Sequence, residues 1–175
     1  SFQSDKFYSL EKQKSIANVY AKCDSTCHGG CYHGTLEAYL KEKSLDFTDD
    51  ALISKVSNIL PKICGKQSDY KSPLVYNECF HGLGHAAMFV TDMDLPLSLK
   101  LCDTLSDQKY KERCYTGVFM ENSSSSTSFD HASIYIKPDD PYYPCNDLEE
   151  KYLPICWQYQ SSYFSIISSH DWKKV

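Results

Sequence analysis

A cysteine followed by an aromatic residue opens four segments of this chain, and that recurrence limits the folds open to it. The segments are Cys31-Tyr32-His33-Gly34, Cys79-Phe80-His81-Gly82, Cys114-Tyr115-Thr116-Gly117 and Cys156-Trp157-Gln158-Tyr159. Glycine stands three positions past the cysteine in three of the four. The anchors recur every 35 to 48 residues, a period that suits helical-hairpin repeats.

The remaining cysteines support the same register. Cys64 precedes Cys79, Cys102 precedes Cys114, and Cys145 precedes Cys156. A disulfide across each hairpin is natural, because packed helices approach within the Cα separation that the bond requires. Each staple is expected to stabilise the fold by about 2–4 kcal/mol. The first hairpin holds three cysteines, for which the expected pair is Cys23–Cys31, with Cys27 left over. Nine cysteines in 175 residues imply an oxidising compartment or a metal-rich site, hence an extracytoplasmic location. Apolar residues at 42% and charged residues at 23% are a globular balance. A net charge of −5 argues against nucleic acid as a partner. The longest apolar runs, at 83–90 and 163–167, fall far short of a membrane span of about 20 residues. No basic-plus-apolar leader opens the chain, so Ser1 reads as the start of a processed chain.

Apolar spacing predicts eight helices in four antiparallel pairs. The hairpins span about 9–43, 48–90, 94–122 and 146–169 of a single domain, 1–175. Thr48 with Asp49 and Asp50 starts one helix, whose stripe is Val56, Ile59, Leu60 and Ile63; Pro61 should bend its end. Pro73 opens the next helix, Asp94 caps another, and Ser106 caps one over 107–121. The pattern fails over 123–145, where a serine run and three prolines predict a long irregular loop with an extended piece at 133–137. Asn146 with Glu149 is a capping-box variant, ahead of helices at 147–152 and 154–168. The expected fold is all-α: four disulfide-stapled antiparallel hairpins in a short right-handed αα array of the tetratricopeptide or Sel1 kind.

The repeat also aligns polar residues. Two past the anchor stand His33, His81, Thr116 and Gln158; six past it stand Glu37, His85, Met120 and Ser162, with Glu121 one further. Positions four apart share a helical face. His33/Glu37 and His81/His85 are therefore pairs at equivalent places, and they converge if the second helices line one concave face. Imidazole with carboxylate suits a transition metal, zinc or copper first. Glu121 is a candidate fifth ligand or base. H-E-x-x-H is absent, which removes the standard zincin reading. The competing reading is a buried imidazole network without an ion. The mid-helix glycines, each costing about 1 kcal/mol relative to alanine, serve either close helix packing or room for a ligand.

Weaker signals remain. Cys23-x-x-x-Cys27-His28 is one residue longer than the usual covalent haem motif; haem is the second cofactor candidate, and it would leave Cys31 unpaired. Asn122-Ser123-Ser124 is a glycosylation acceptor sequence and predicts a surface position. A phosphate-cradling glycine loop and a serine nucleophile elbow are both missing, so catalysis is not the first expectation.

The segments Gly30-Cys31-Tyr32-His33-Gly34, Glu78-Cys79-Phe80-His81-Gly82, Cys114-Tyr115-Thr116-Gly117-Val118-Phe119-Met120-Glu121-Asn122 and Asp140-Pro141-Tyr142-Tyr143-Pro144-Cys145-Asn146 carry a resemblance. The chain over 23–163 resembles uncharacterised secreted, cysteine- and histidine-rich helical-repeat proteins of archaea, of the ammonia-oxidiser type. The resemblance implies an extracytoplasmic helical protein. It carries no established activity and transfers no catalytic residue. The expected function is metal binding at His33, Glu37, His81, His85 and Glu121. One alternative is a structural or accessory subunit that holds other proteins on its concave face or loop 123–145. Another is a metal-dependent hydrolase, with Glu37 or Glu121 as base for a metal-bound water.

Overall fold

The computed structural model describes residues 49–125, 133–171 and 173, with Val19, Cys31, Gly34, Thr35, Ala38 and Tyr39 at isolated helical positions before them. Helix α1 (Asp49–Ile63) buries Val56, Leu60 and Ile63, an i, i+4, i+7 stripe. Pro61 sits in its last turn. The chain leaves the helix through Gly65 at φ 60°, a conformation glycine adopts without steric cost. Helix α2 (Pro73–Val90) starts as expected: the Val75 N–H donates to Ser72 Oγ at 3.3 Å, and Pro73 needs no N–H partner in the first turn. Every residue of α2 from Cys79 to Met88 is buried, so this helix forms the centre of the fold. A tight turn follows, with Met93 N–H reaching Met88 O at 2.7 Å. Asp94 then caps α3 (Leu95–Asp103) by accepting Leu97 N–H at 2.9 Å.

Helix α4 (Gln108–Ser124) and helix α5 (Leu153–Ile167) complete the described helices. The described residues form no strand; Lys137 and Asp140 make an isolated bridge. α2 packs most extensively on α4, α4 carries α5, and α1 lies on α3. The α2–α4 contact is backbone to backbone. A Cβ on Gly84 would stand 2.0 Å from Cys114 O, and one on Gly117 would stand 2.0 Å from His81 O. Close packing is therefore what these two glycines serve.

Three expected disulfides are present: Cys64–Cys79, Cys102–Cys114 and Cys145–Cys156, with Cα separations of 5.8, 5.6 and 5.7 Å. Three staples mark an oxidising environment. Among the described residues no helix is long and apolar enough to cross a membrane. The first hairpin, with Cys23, Cys27 and the haem motif, lies outside the described residues, save that Cys31 is disulfide-bonded.

Several local expectations change. Asp107, not Ser106, caps α4, its Oδ1 accepting Lys109 N–H at 2.9 Å; a carboxylate gains from the helix dipole as a hydroxyl does not. α4 does not end at 121. Ser123 and Ser124 donate back to Met120 O at 3.1 and 2.7 Å, a bond that lets serine sit inside a helix. Asn122 is not at the surface: it is 2% exposed, and its Oδ1 accepts from Ser133 Oγ at 2.6 Å. Its amide would have to leave that site before a glycan could be attached. Finally, the expected helix at 147–152 is two 3-10 turns, Cys145–Asp147 and Glu150–Tyr152. Asn146 forms no cap there and donates instead to Asp140 Oδ2 at 3.2 Å. The Cys145 staple and the Tyr152 hydroxyl on Asp103 hold this stretch at both ends. The segment at 133–137 is a turn, closed by Tyr135 N–H on Ser133 Oγ at 3.1 Å. The fourth expected hairpin thus has one α-helix.

Candidate functional site

The Gly84–Gly117 contact sets the stage for the polar residues beside it. α2 and α4 run parallel, because their contacts climb both helices together: Glu78 with Arg113, His81 with Thr116, His85 with Glu121. Partners stand 35 or 36 residues apart, matching the step from Cys79 to Cys114. His81 and His85 are 8% and 4% exposed. One helical turn separates them, and their rings meet edge to face with centroids 4.8 Å apart.

A continuous row of hydrogen bonds crosses the interface. Thr116 Oγ1 donates to Arg113 O at 2.6 Å. Its single proton is thereby committed, so it accepts from His81 Nδ1–H at 2.8 Å. His85 Nδ1 meets Glu121 Oε2 at 2.6 Å, and an ionised carboxylate can only accept. The two Nε2 atoms meet across 3.1 Å, and which of them donates depends on the ring tautomers.

Glu121 therefore meets His85 at the nitrogen opposite the Nε2 pair. The expected roles of Glu121 as fifth ligand or base concern an ion that would sit on the far side of the His85 ring from this contact. Its side chain is 40% exposed. His33 and Glu37 lie outside the described residues. Among the described residues no group of three or more histidine, cysteine, aspartate or glutamate side chains gathers in metal-holding geometry. The matching row fails on α5: Gln158 and Ser162 are exposed. The buried glutamine there is Gln160, which donates to Pro141 O at 2.7 Å and Tyr143 O at 3.0 Å and ties the preceding loop to the helix. A cavity of about 400 Å³ lies between α2, α4 and α5 with Thr116 in its wall, and neither histidine lines it. Tyr159 on α5 sits beside Arg113 and Thr116, and burial raises its hydroxyl pKa.

A second polar cluster forms around Asp103, which no sequence motif marked. Its carboxylate accepts from Tyr115 Oη, from Tyr152 Oη at 2.6 Å and from Lys151 Nζ at 2.9 Å. Burial alone would raise the Asp103 pKa; the three donors together outweigh it and hold the pKa below the ordinary value. Tyr152 moves the other way, pushed up to about 12 by burial and by the carboxylate it donates to. Thr116 lay in the repeat alignment as the counterpart of His81, and that equivalence was the available sign that the two would touch.

No protein-family model, curated protein or solved structure matches this chain.

Proposed function

We propose that this protein is an extracytoplasmic binder of a transition-metal ion, zinc or copper, held by Nε2 of His81 and Nε2 of His85. The observation that carries the reading is the 3.1 Å approach of those two atoms while both Nδ1 atoms are engaged elsewhere. Two ligands of a tetrahedral zinc ion, each about 2.0–2.1 Å from the metal, stand about 3.3 Å apart. A ring shift of a few tenths of an ångström therefore admits the ion. Hydrogen bonds on the far nitrogens of ligating histidines, as from Thr116 and Glu121, are the usual support of such sites. In this reading His33 and Glu37, at the same repeat positions one hairpin earlier, complete the ligand set. The resemblance to secreted archaeal proteins supports the extracytoplasmic location, as do the staples. The packing of α1 on α3 and of α2 on α4 with a 35-residue offset supports the right-handed αα array.

The test is elemental analysis after dialysis against Zn²⁺ or Cu²⁺, for the parent and for a His81→Ala/His85→Ala variant whose fold is checked by circular dichroism. The parent is expected to retain an ion that the variant loses. Equal metal content in the two overturns the reading.

A second reading, a protein-binding accessory subunit, is favoured by one observation. Tyr142 at 58% exposure and Trp157 at 38% form an aromatic ridge with Phe164 beside the anchored loop, and exposed aromatics are enriched where proteins dock. Under this reading, Tyr142→Ser/Trp157→Ser abolishes partner capture and leaves metal content unchanged.

A further inference from the structure

We infer that the cavity between α2, α4 and α5 is a binding site for a small zwitterion with an apolar body, an α-amino acid or short peptide. Its carboxylate would meet Lys109 and its ammonium would meet Glu112. The inference does not rest on the metal-binding reading, since neither histidine lines this cavity.

The cavity is a product of the repeat. α2 contributes Leu74 and Asn77, and α4 contributes Lys109, Glu112, Arg113 and Thr116. Leu74 and Lys109 stand 35 residues apart, as do Asn77 and Glu112. The same offset pairs Glu78 with Arg113 and His81 with Thr116. The two parallel helices therefore offer equivalent faces, and on α4 the four lining residues fall at i, i+3, i+4 and i+7. One place before the anchor cysteine stand Glu78 on α2, Arg113 on α4 and Ile155 on α5. The first two neutralise each other as an ion pair, and the third gives the cavity an apolar wall. At about 400 Å³ the space falls within the roughly 300–1,000 Å³ of small-molecule sites.

Charge then selects the occupant. Lys109 and Glu112 are exposed, and among the described residues neither belongs to an ion pair. Glu112 accepts only from a neutral amide, that of Gln108, at 3.0 Å. The Lys109 ammonium lies 5.9 Å from the centre of the Tyr110 ring. One cation and one anion, a turn apart on one helix face, leave the walls without net charge. A polyanion would be repelled by Glu112, and a polyamine by Lys109 and Arg113. A ligand that carries both signs satisfies both side chains. Its apolar part would cover Ile155 and Leu74, which lines the cavity yet is 68% exposed. The Asn77 amide, beside Glu112 in the repeat register, can donate or accept.

The experiment follows ¹H–¹⁵N shifts of the full chain during titration with four probes. Leucine and leucyl-leucine carry both charges, 4-methylpentanoate only the carboxylate, and 3-methylbutylamine only the ammonium. Leucine or leucyl-leucine is expected to saturate shifts at the cavity residues, and the tighter of the two tells an amino-acid site from a peptide site. Each single-charge probe is expected to bind about fivefold more weakly. Lys109→Met and Glu112→Gln, both at exposed positions, are expected to weaken the zwitterion by a similar factor with the melting temperature unchanged. No saturable binding of either zwitterion overturns the inference. Binding that survives both substitutions undiminished does the same, as does a single-charge probe that binds as tightly as the zwitterions.

Discussion

Two buried polar clusters share helix α4, and they are built on opposite principles. At Asp103 three donors converge on one carboxylate. At His81 and His85 the outer nitrogens bond to α4, while the inner pair of nitrogens meets across 3.1 Å, with the donor set by the tautomer. The first arrangement is complete as protein and ties α3, α4 and the turn before α5 together. The second joins α2 to α4 through two imidazoles whose inner nitrogens meet each other. What separates the two is the kind of contact at their centres: donors on a carboxylate in one, imidazole on imidazole in the other.

The largest break in this contrast comes from the helix contact. Gly117→Ala puts a methyl into the backbone of α2 and is expected to cost about 3 kcal/mol or more in denaturant unfolding, with loss of metal uptake. Parent-like stability would refute the backbone contact. Next in size, Asp103→Asn is expected to cost about 2 kcal/mol, because three donors lose a charged acceptor. His85→Gln is expected to cost about half that in the apo-protein. A reversal of that order would erase the distinction between the clusters.

Acid and alkali sharpen it further. The Asp103 pKa is lowered in the fold, so its contribution is complete above the unfolded value of 3.8 and lost as pH falls below it. The parent should therefore show a steeper acid limb of stability than Asp103→Asn. The Tyr152 pKa is raised from 10.0 to about 12. Its contribution is complete below pH 10 and is lost as pH rises toward 12, a step expected to disappear from unfolding curves of Tyr152→Phe. The smallest effect belongs outside both clusters: Ser133→Ala removes the bond to Asn122 and is expected to cost about 1 kcal/mol. Faster amide exchange confined to the ends of that bond would report it.

What the sequence made legible was local chemistry. Pro73 at a helix start, Asp94 before Leu95, and cysteines spaced for a hairpin each act within a few residues or across one turn. The row of His81, His85, Thr116 and Glu121 was half legible. The repeat register brought the right positions together, yet it could not tell which nitrogen of His85 Glu121 would meet, because that depends on how far two helices slide along a glycine contact. Asp103 was not legible at all. Its donors lie 12, 48 and 49 residues away and repeat nothing. Ser106 and Asp107 are both good caps standing side by side, and only the observed backbone chooses between them. Asn122 was misjudged because a sequon says nothing of the distant Ser133 that covers it.

The order of the staples has a consequence for how the chain is made. Cys64 closes with Cys79, Cys102 with Cys114, and Cys145 with Cys156, so none of these three bridges encloses or crosses another. Each bond needs only the segment that has just emerged, and each is sealed before the next pair of sulfurs appears. For these six sulfurs, a chain threaded amino terminus first into an oxidising space would reach the observed connectivity by nearest-neighbour oxidation, with no bridge among them to undo.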